Sequence, residues 1–215
     1  MYIPAAFQQH DPAQLHQLIR QAPLAALINH SSAGLHASHL PLLLAADEGE
    51  FGTLYGHFAR ANPHWQTFAE DAQALAIFTG ADAYVSPSSY PSKAEHGKAV
   101  PTWNYLSVHA RGPLEVFDDP ERLRLLLTRL TAAHENSRPQ PWAMSDAPQD
   151  YIDSMLRAIV GFVMPIQRLE GQWKLSQNRN SADRAGVQQS LSASPASQDQ
   201  QLAQQMQNTG TPTQP

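Results

Sequence analysis

The stretch from Ala83 to Tyr105, AYVSPSSYPSKAEHGKAVPTWNY, constrains the fold most, because it suits neither a helix nor a strand. Three prolines and four serines interrupt any regular element, yet three tyrosines and a tryptophan are more aromatic surface than a solvated connector usually carries. Long loops are usually functional or disordered, and the rings argue against disorder. The stretch predicts an ordered functional loop between two strands; an Ω-loop packed for its own sake is the alternative.

Short apolar runs bounded by turn residues predict strands on both sides of this loop, and three amphipathic segments predict helices. Few strands alternate with helices and no internal repeat is present, so the pattern favours an α+β barrel or sheet over a doubly wound fold. Proline inside a run removes a ladder donor, which predicts an edge or bulge at Pro41 and Pro165. The predicted strands are 24–30, 35–44, 53–58, 74–80, 83–86 and 158–171, with a Gly-Ala-Asp turn between 80 and 83. Residues 105–117 predict a long strand or a bent hairpin. The predicted helices begin at Asp11, Asp119 and Pro148, with a short helix from Pro63 and a last helical turn at DRAGV.

Composition sets the remaining limits on the 215-residue chain. The absence of cysteine excludes disulfides and thiolate chemistry, and no apolar run is long enough to cross a membrane. The start MYIPAAFQQHDP lacks the features of a signal peptide, so we predict a cytoplasmic protein. From Gln188 onward the chain is rich in Gln, Ser and Ala, which predicts one folded domain over 1–187 and a disordered tail over 188–215.

Several common sites have no support in the sequence. His36, His39, His57 and His109 form no metal-binding signature, so no metal is predicted. No serine lies in a GxSxG elbow, and glycine-rich phosphate motifs are absent, so no catalytic residue is assigned. A net charge of −5 and the lack of a basic recognition helix give DNA binding no support from the residues themselves.

What remains is a mixed polar and aromatic set that suits a planar phosphate-bearing ligand. The strand at 53–58 runs into ARANPHW, where a helix start and Arg60 predict a phosphate site. The alternative makes Arg60 a surface charge and Asn62 a helix cap. Candidates for the phosphate are Arg60, Lys93 and Lys98; for flanking a ring, Tyr84, Tyr90, Trp103 and Trp173; and for contacting ring edges, Asn104, Gln177 and Asn178.

Several stretches form a pattern typical of one protein family. They are MYIP (1–4), SHLPLLL (38–44), GHFARANPHW (56–65), the loop through PTWNY (101–105), SDAPQDYI (145–152), MLRAIVGF (155–162), RLEGQWKLSQNR (168–179) and DRAGV (183–187). On these stretches the sequence resembles the PaiB family of FMN-binding negative transcriptional regulators from Met1 to about Val187. Ser89 is a departure, since tryptophan is usual there in the family, and it puts flavin affinity in question.

The resemblance implies a split β-barrel related to pyridoxamine-phosphate oxidases and flavin reductases, a homodimer, and FMN at the subunit interface. It also implies a regulatory function; a flavin reductase or FMN-dependent oxidoreductase is the alternative, and a non-catalytic module acting through a protein partner is a third possibility. DNA is a partner by resemblance only. In the related oxidases the phosphate follows a barrel strand, so the resemblance places it at the GHFARANP turn, with Arg60 and Asn62. Residue chemistry and the resemblance together give the predicted flavin-binding residues, which are His57, Arg60, Asn62, Tyr84, Ser86, Lys93, Trp103, Asn104, Trp173, Lys174, Gln177 and Asn178.

Overall fold

The computed structural model describes residues 1–68 and 72–209 and has the α+β composition that the sequence predicts. Its strands are β1 (Gln8–Gln9), β2 (Leu24–Ser31), β3 (Gly34–Pro41), β4 (Leu43–Ala45), β5 (Thr53–Ala59), β6 (Gln73–Val85), β7 (Thr102–Pro113), β8 (Glu115–Phe117), β9 (Ile159–Pro165) and β10 (Arg168–Lys174). Its helices are α1 (Pro12–Gln21), α2 (Lys93–His96), α3 (Pro120–Glu135), α4 (Gln149–Arg157), α5 (Ser181–Ser192) and α6 (Ser197–Asn208), with 3₁₀ turns at Ala5–Phe7, Pro63–Thr67, Pro87–Ser89 and Met144–Asp146.

The strands form two sheets. A six-stranded sheet has the order β1-β10-β7-β6-β2-β3, and a four-stranded sheet has the order β4-β5-β9-β8. Every pairing with a described register is antiparallel, as in β2 with β3, where Leu24 lies opposite Pro41. Because β3 is an edge strand, the missing N–H of Pro41 removes no hydrogen bond from the interior of the sheet. The predicted edge position is confirmed.

Two compact units make up the chain. Unit 1 contains Met1–Asp11, Thr79–Val108 and the described residues from Glu170 onward; unit 2 contains Pro12–Phe78 and His109–Leu169. The long strands β6 and β7 each contribute residues to both. In the described part of the chain, no helix combines the length and the apolar character that crossing a membrane requires.

The predicted helices follow their sequence signals. Asp119 caps α3 by accepting a hydrogen bond from the Arg122 N–H at 2.8 Å. The leucine stripe of α3 is buried at Leu123, Leu126 and Leu130, as its spacing predicts. Leu123 and Leu126 form a core cluster of unit 2 with Phe117, Ile152 and Leu156.

Four strand predictions are wrong. Residues 35–44 form β3 and β4, which lie in different sheets, and residues 105–117 are divided in the same way between β7 and β8, so they form neither one strand nor a hairpin. The turn predicted between residues 80 and 83 is absent, because β6 runs without a break from Gln73 to Val85 as a strand of the six-stranded sheet, where the backbone is extended. The single strand predicted over 158–171 is two strands in different sheets, with β9 ending at Pro165. The peptide N–H groups after the break find other partners, since Ile166 donates to the Gly52 carbonyl at 3.0 Å.

The predicted disorder from Gln188 is also wrong for the described residues. The proposed domain end at Val187 falls inside α5, and α6 follows it. Leu191, Leu202, Ala203 and Met206 are buried, so the few apolar residues of this segment lie on packed helix faces. Residues 210–215, which also belong to the predicted tail, lie outside the described residues.

Candidate functional site

The turn that follows β5 in unit 2 carries the predicted phosphate residue Arg60, and its guanidinium contacts protein oxygens. Nε donates to the Arg157 carbonyl at 2.9 Å, Nη2 donates to the Ile159 carbonyl at 3.1 Å, and Nη1 lies 3.5 Å from Asp118. Arg60 lines a cavity of about 680 Å³ whose wall also includes Asp118 and Asp153. A phosphate at Arg60 would compete with these carboxylates, so the structure gives Arg60 contacts that stabilise the end of α4.

Asn62 has the capping position that the alternative interpretation predicts. Its side-chain oxygen accepts from the His64 N–H at 3.0 Å at the start of the 3₁₀ turn Pro63–Thr67. Its amide donates to Ser38 Oγ at 3.1 Å, and Ser38 contacts His64 Nδ1 at 2.8 Å. His64 Nε2 lies 3.0 Å from Asn29 Oδ1, so this buried ring is hydrogen-bonded at both nitrogens. Burial, followed by the nearby charge of His36, lowers the pKa of His64.

His57, on β5, has an unsatisfied polar atom. Its Nδ1 is buried and finds no hydrogen-bond partner among the described residues. Burial lowers the pKa of His57, so the neutral ring is favoured. A buried nitrogen without a partner is unusual in a folded protein, so Nδ1 of His57 is a buried polar atom that the described residues leave unsatisfied.

Unit 1 holds the exposed aromatic residues of the central loop region. Tyr84, near the end of β6, and Trp103, near the start of β7, meet edge to face with ring centroids 6.2 Å apart. Each side chain is 53% exposed, which is unusual for a paired tyrosine and tryptophan. Trp103 also lines a groove of about 320 Å³ with Thr79, Asp82, Tyr105 and Ser107. This volume is within the range of ligand pockets, and the exposed rings offer a flat surface.

The predicted loop is ordered and is tied to the C-terminal helices of unit 1. Ser86 caps the 3₁₀ turn Pro87–Ser89, and Lys93 opens the short helix α2 with no hydrogen bond from its ammonium to the described residues. The Asp183 carboxylate of α5 accepts from the Ser92 N–H at 3.0 Å and from Ser92 Oγ at 2.7 Å. Although burial raises the pKa of Asp183, these bonds and one from Asn180 lower it overall.

The sequence departure at Ser89 has a structural counterpart. The backbone of Ser89 approaches α5 so closely that a Cβ added to Gly186 would lie 2.3 Å from the Ser89 carbonyl oxygen. The neighbouring Tyr90 is 3% exposed, and its hydroxyl has no partner among the described residues. The loop is therefore held through Tyr90 and the Ser89 backbone, with no ring at position 89.

The segment WKLSQN begins in β10 and carries four predicted residues, Trp173, Lys174, Gln177 and Asn178. Trp173 is 4% exposed and Asn104, which contacts this segment, is 1% exposed, so neither presents a surface to a ligand. The Gln177 amide bridges its own turn, accepting from the Leu175 N–H at 2.6 Å and donating to the Trp173 carbonyl. Lys174 is partly exposed and Asn178 is exposed, so these two remain accessible.

A family model described as "Putative FMN-binding domain" matches residues 1–168. The chain belongs to this family. The protein named Protease synthase and sporulation protein PAI 2, from Bacillus subtilis, is 30% identical over 208 residues, covering 97% of each chain. An uncharacterized protein of Emericella nidulans is 32% identical, covering 87% of this chain and 88% of its own. These findings confirm the predicted family and its cofactor class, FMN.

Solved structures show the fold. The FAD and heme binding protein from Mycobacterium smegmatis superposes with a TM-score of 0.58 at 17% identity, covering 83% of this chain and 78% of that one. The flavocytochrome Anf3 from Azotobacter vinelandii superposes with a TM-score of 0.52 at 15% identity, covering 83% and 75%. The predicted α+β split-barrel fold is confirmed.

Sequence reasoning missed residues that organise the accessible part of unit 1. Arg179 lies over the Tyr90 ring, with its Cζ 4.7 Å from the ring centroid, and Thr102 accepts from the Lys174 ammonium at 2.6 Å. Arg179 ends the run KLSQNR and Thr102 lies in PTWNY, so both belong to motifs that carry the family resemblance. Only the three-dimensional structure shows that Thr102 contacts Lys174 and that the charge of Arg179 acts on it.

Proposed function

We propose that unit 1 binds the planar ring of FMN on the surface formed by Tyr84 and Trp103. The single observation that supports this placement is the exposed edge-to-face pair beside the groove of about 320 Å³. Aromatic rings that face water contribute little to stability, but they contribute substantially to the affinity of a ligand whose own ring covers them. The Lys174 ammonium, which donates to the Trp103 carbonyl at 2.6 Å, provides positive charge close to this surface. FMN, when bound, supplies redox chemistry that these side chains do not have.

We also propose that the protein functions as a homodimer. In unit 2, Leu24 and Leu35, on neighbouring strands β2 and β3, are 64% and 79% exposed. In unit 1, Val100 is 67% exposed in addition to the two rings. Large apolar side chains at this exposure, on paired strands and in a flavin site, are typical of surfaces that a second subunit covers. The family resemblance supports the same assembly.

The test compares Trp103→Ala with Trp142→Ala, a matched change at a tryptophan of unit 2 that is 45% exposed. We expect Trp103→Ala to weaken FMN binding about 2- to 12-fold, the loss that corresponds to one aromatic contact. We expect Trp142→Ala to bind like the wild type. FMN fluorescence titration measures the affinity, and sedimentation equilibrium on the same samples is expected to show a dimer. Equal affinities in all three proteins, or a monomer at micromolar concentration, would contradict the respective proposal.

If the protein regulates transcription, as the PaiB resemblance implies, α3 does not serve as its DNA-recognition helix. Its arginines are already paired: Arg122 lies 3.2 Å from Glu115, Arg124 lies 2.5 Å from Asp153, and Arg129 lies 3.5 Å from Glu48. Its leucine stripe is buried in unit 2. Neither face of the helix therefore presents the uncompensated positive charge that a DNA backbone requires.

We therefore expect the purified protein to bind DNA weakly, with steep salt dependence, or not at all. Fluorescence anisotropy with its own promoter region at physiological salt measures this, with an unrelated sequence of equal length as the control. Nanomolar binding that discriminates between the two sequences and survives competitor DNA would show that a DNA-reading surface exists elsewhere on the protein. A cytoplasmic location stays a prediction.

A further inference from the structure

We propose that the turn Lys174–Arg179 of unit 1 binds the phosphate group of the flavin, through the Lys174 ammonium and the Arg179 guanidinium. The proposal rests on the proposed function, because it assigns the phosphate of the same ligand whose ring lies on Trp103. It moves the phosphate site away from Arg60, where the sequence predicts it. Four observations on this turn support the assignment.

The first observation is the position of the Lys174 ammonium. It donates to Thr102 Oγ1 and to the Trp103 carbonyl, both at 2.6 Å, and it forms no ion pair with any described residue. Two neutral oxygens fix the position of the charge without neutralising it. An ammonium has three donors, so one remains for a ligand.

The second observation is the state of Arg179. Its guanidinium lies over the Tyr90 ring, and its side chain makes no hydrogen bond to the residues that the structure describes. Stacking on a ring holds a guanidinium in one plane while its edge donors stay free. Arg60 differs in both respects, since its nitrogens face two carbonyls and the Asp118 carboxylate. A planar guanidinium whose N–H donors are free can bind a phosphate through two parallel hydrogen bonds.

The third observation is the backbone between the two cations. Ser176 has a φ of 62°, the one non-glycine residue with positive φ among the described residues. Its hydroxyl is fixed by Asn104, whose amide donates to Ser176 Oγ at 2.9 Å, and both residues are buried. The Arg179 N–H then donates to the Ser176 carbonyl at 3.1 Å. A strained residue held by a buried partner indicates a turn whose shape is required, and here that shape sets where Lys174 and Arg179 lie.

The fourth observation is that the two charges act on one another. Burial lowers the pKa of Lys174, and the charge of Arg179 lowers it further. The Asp183 carboxylate attracts Arg179, whose charge helps to lower the pKa of Asp183, but the oxygens of Asp183 also accept from Ser92 and Asn180. Lys174 and Arg179 repel each other, and a bound phosphate would attract both.

The experiment compares the affinities of FMN and riboflavin, which differ by the phosphate. Arg179→Met is the main variant, because the side chain it removes makes no hydrogen bond within the described chain and its loss should leave the fold intact. We expect FMN affinity to fall about 10- to 100-fold in this variant, as expected for lost charge-assisted hydrogen bonds, while riboflavin affinity stays the same. Lys174→Met is expected to act in the same direction. Fluorescence titration gives each dissociation constant, and the melting temperature of each variant verifies folding.

Arg20→Met, at an exposed arginine at the end of α1, is the control for the loss of one positive charge and is expected to retain the preference for FMN. Arg60→Met tests the competing site. A loss of FMN preference in Arg60→Met with full preference in Arg179→Met overturns the assignment and leaves the proposed flavin site standing. A wild-type protein that binds neither flavin contradicts the proposed function itself, and with it this inference.

Discussion

A protein truncated after Val187 is expected to lose most of its stability. The cut falls inside α5 and removes the buried side chains of Leu191, Leu202 and Met206 from unit 1. Each large apolar side chain removed from a core costs about 2–5 kcal/mol, and a domain is stable by only about 5–15 kcal/mol. Thermal unfolding followed by circular dichroism should show a greatly lowered transition or none. Unchanged unfolding of the truncated protein would show that α5 and α6 contribute nothing to the fold.

A single substitution in α6 separates packing from the other effects of truncation. Leu202 is fully buried, and Leu202→Ala should lower the Tm by roughly 4–20 °C, given the cost of a core leucine and the size of the chain. Leu125, on α3, is 60% exposed and provides the same chemical change at a solvated site. Leu125→Ala is expected to shift the Tm by no more than about 2 °C. Similar shifts in the two variants would contradict the packing of α6.

Gly186→Ala is the second substitution with a large expected effect. It should destabilise the protein, whereas helix propensity alone predicts that it stabilises it. In an exposed helix the change would stabilise by about 1 kcal/mol. Here the new Cβ would lie 2.3 Å from the Ser89 carbonyl oxygen and 3.0 Å from Pro91 Cδ, so α5 or the central loop has to move. We expect a loss of about 1–3 kcal/mol in unfolding free energy.

The same variant should also weaken FMN binding if the loop supports the flavin surface. Moving α5 away from Ser89 strains the bonds between Asp183 and Ser92, and Tyr90, against which Arg179 stacks, lies in the same segment. Denaturant unfolding and FMN titration measure the two effects. Gln189→Ala, at an exposed position of α5, is the control and is expected to change neither. A stabilised Gly186→Ala variant would show that the close approach is absent in solution.

The helices and most strands could be predicted because their signals are local. Pro12 begins α1, Asp119 caps α3, and a leucine stripe fixes which face of α3 is buried. The α6 helix is not predicted from the sequence, because the composition of this segment indicates disorder more strongly than its spacing indicates a helix. Leu202, Ala203 and Met206 follow a helical spacing, but among glutamines and serines three residues are too few to separate a packed helix from a solvated tail. The partner surface that buries them is contributed by other segments, which a local signal does not reveal.

The candidate site could be predicted as a set of residues but not as a geometry. The sequence identifies the loop, the PTWNY segment and the KLSQNR run as the important stretches. It does not show that Asn104 and Gln177 are used within the protein, or that Arg60 contacts the end of α4. Nor does it show that Arg179 lies free on Tyr90. Residue type indicates what a side chain can bind, whereas the fold decides which of those partners is already present.

The division of the chain between the two units has a consequence for the order of folding during synthesis. Unit 2 is complete in sequence once Leu169 has been made, but unit 1 combines the first eleven residues with segments that end the described chain. Unit 1 therefore cannot finish before α6 leaves the ribosome, and its pairing of β1 with β10 joins residues more than 160 positions apart. Contacts this distant in sequence form slowly. Until they form, the aromatic loop remains exposed on the nascent chain, at the stage when aggregation is a hazard for any protein.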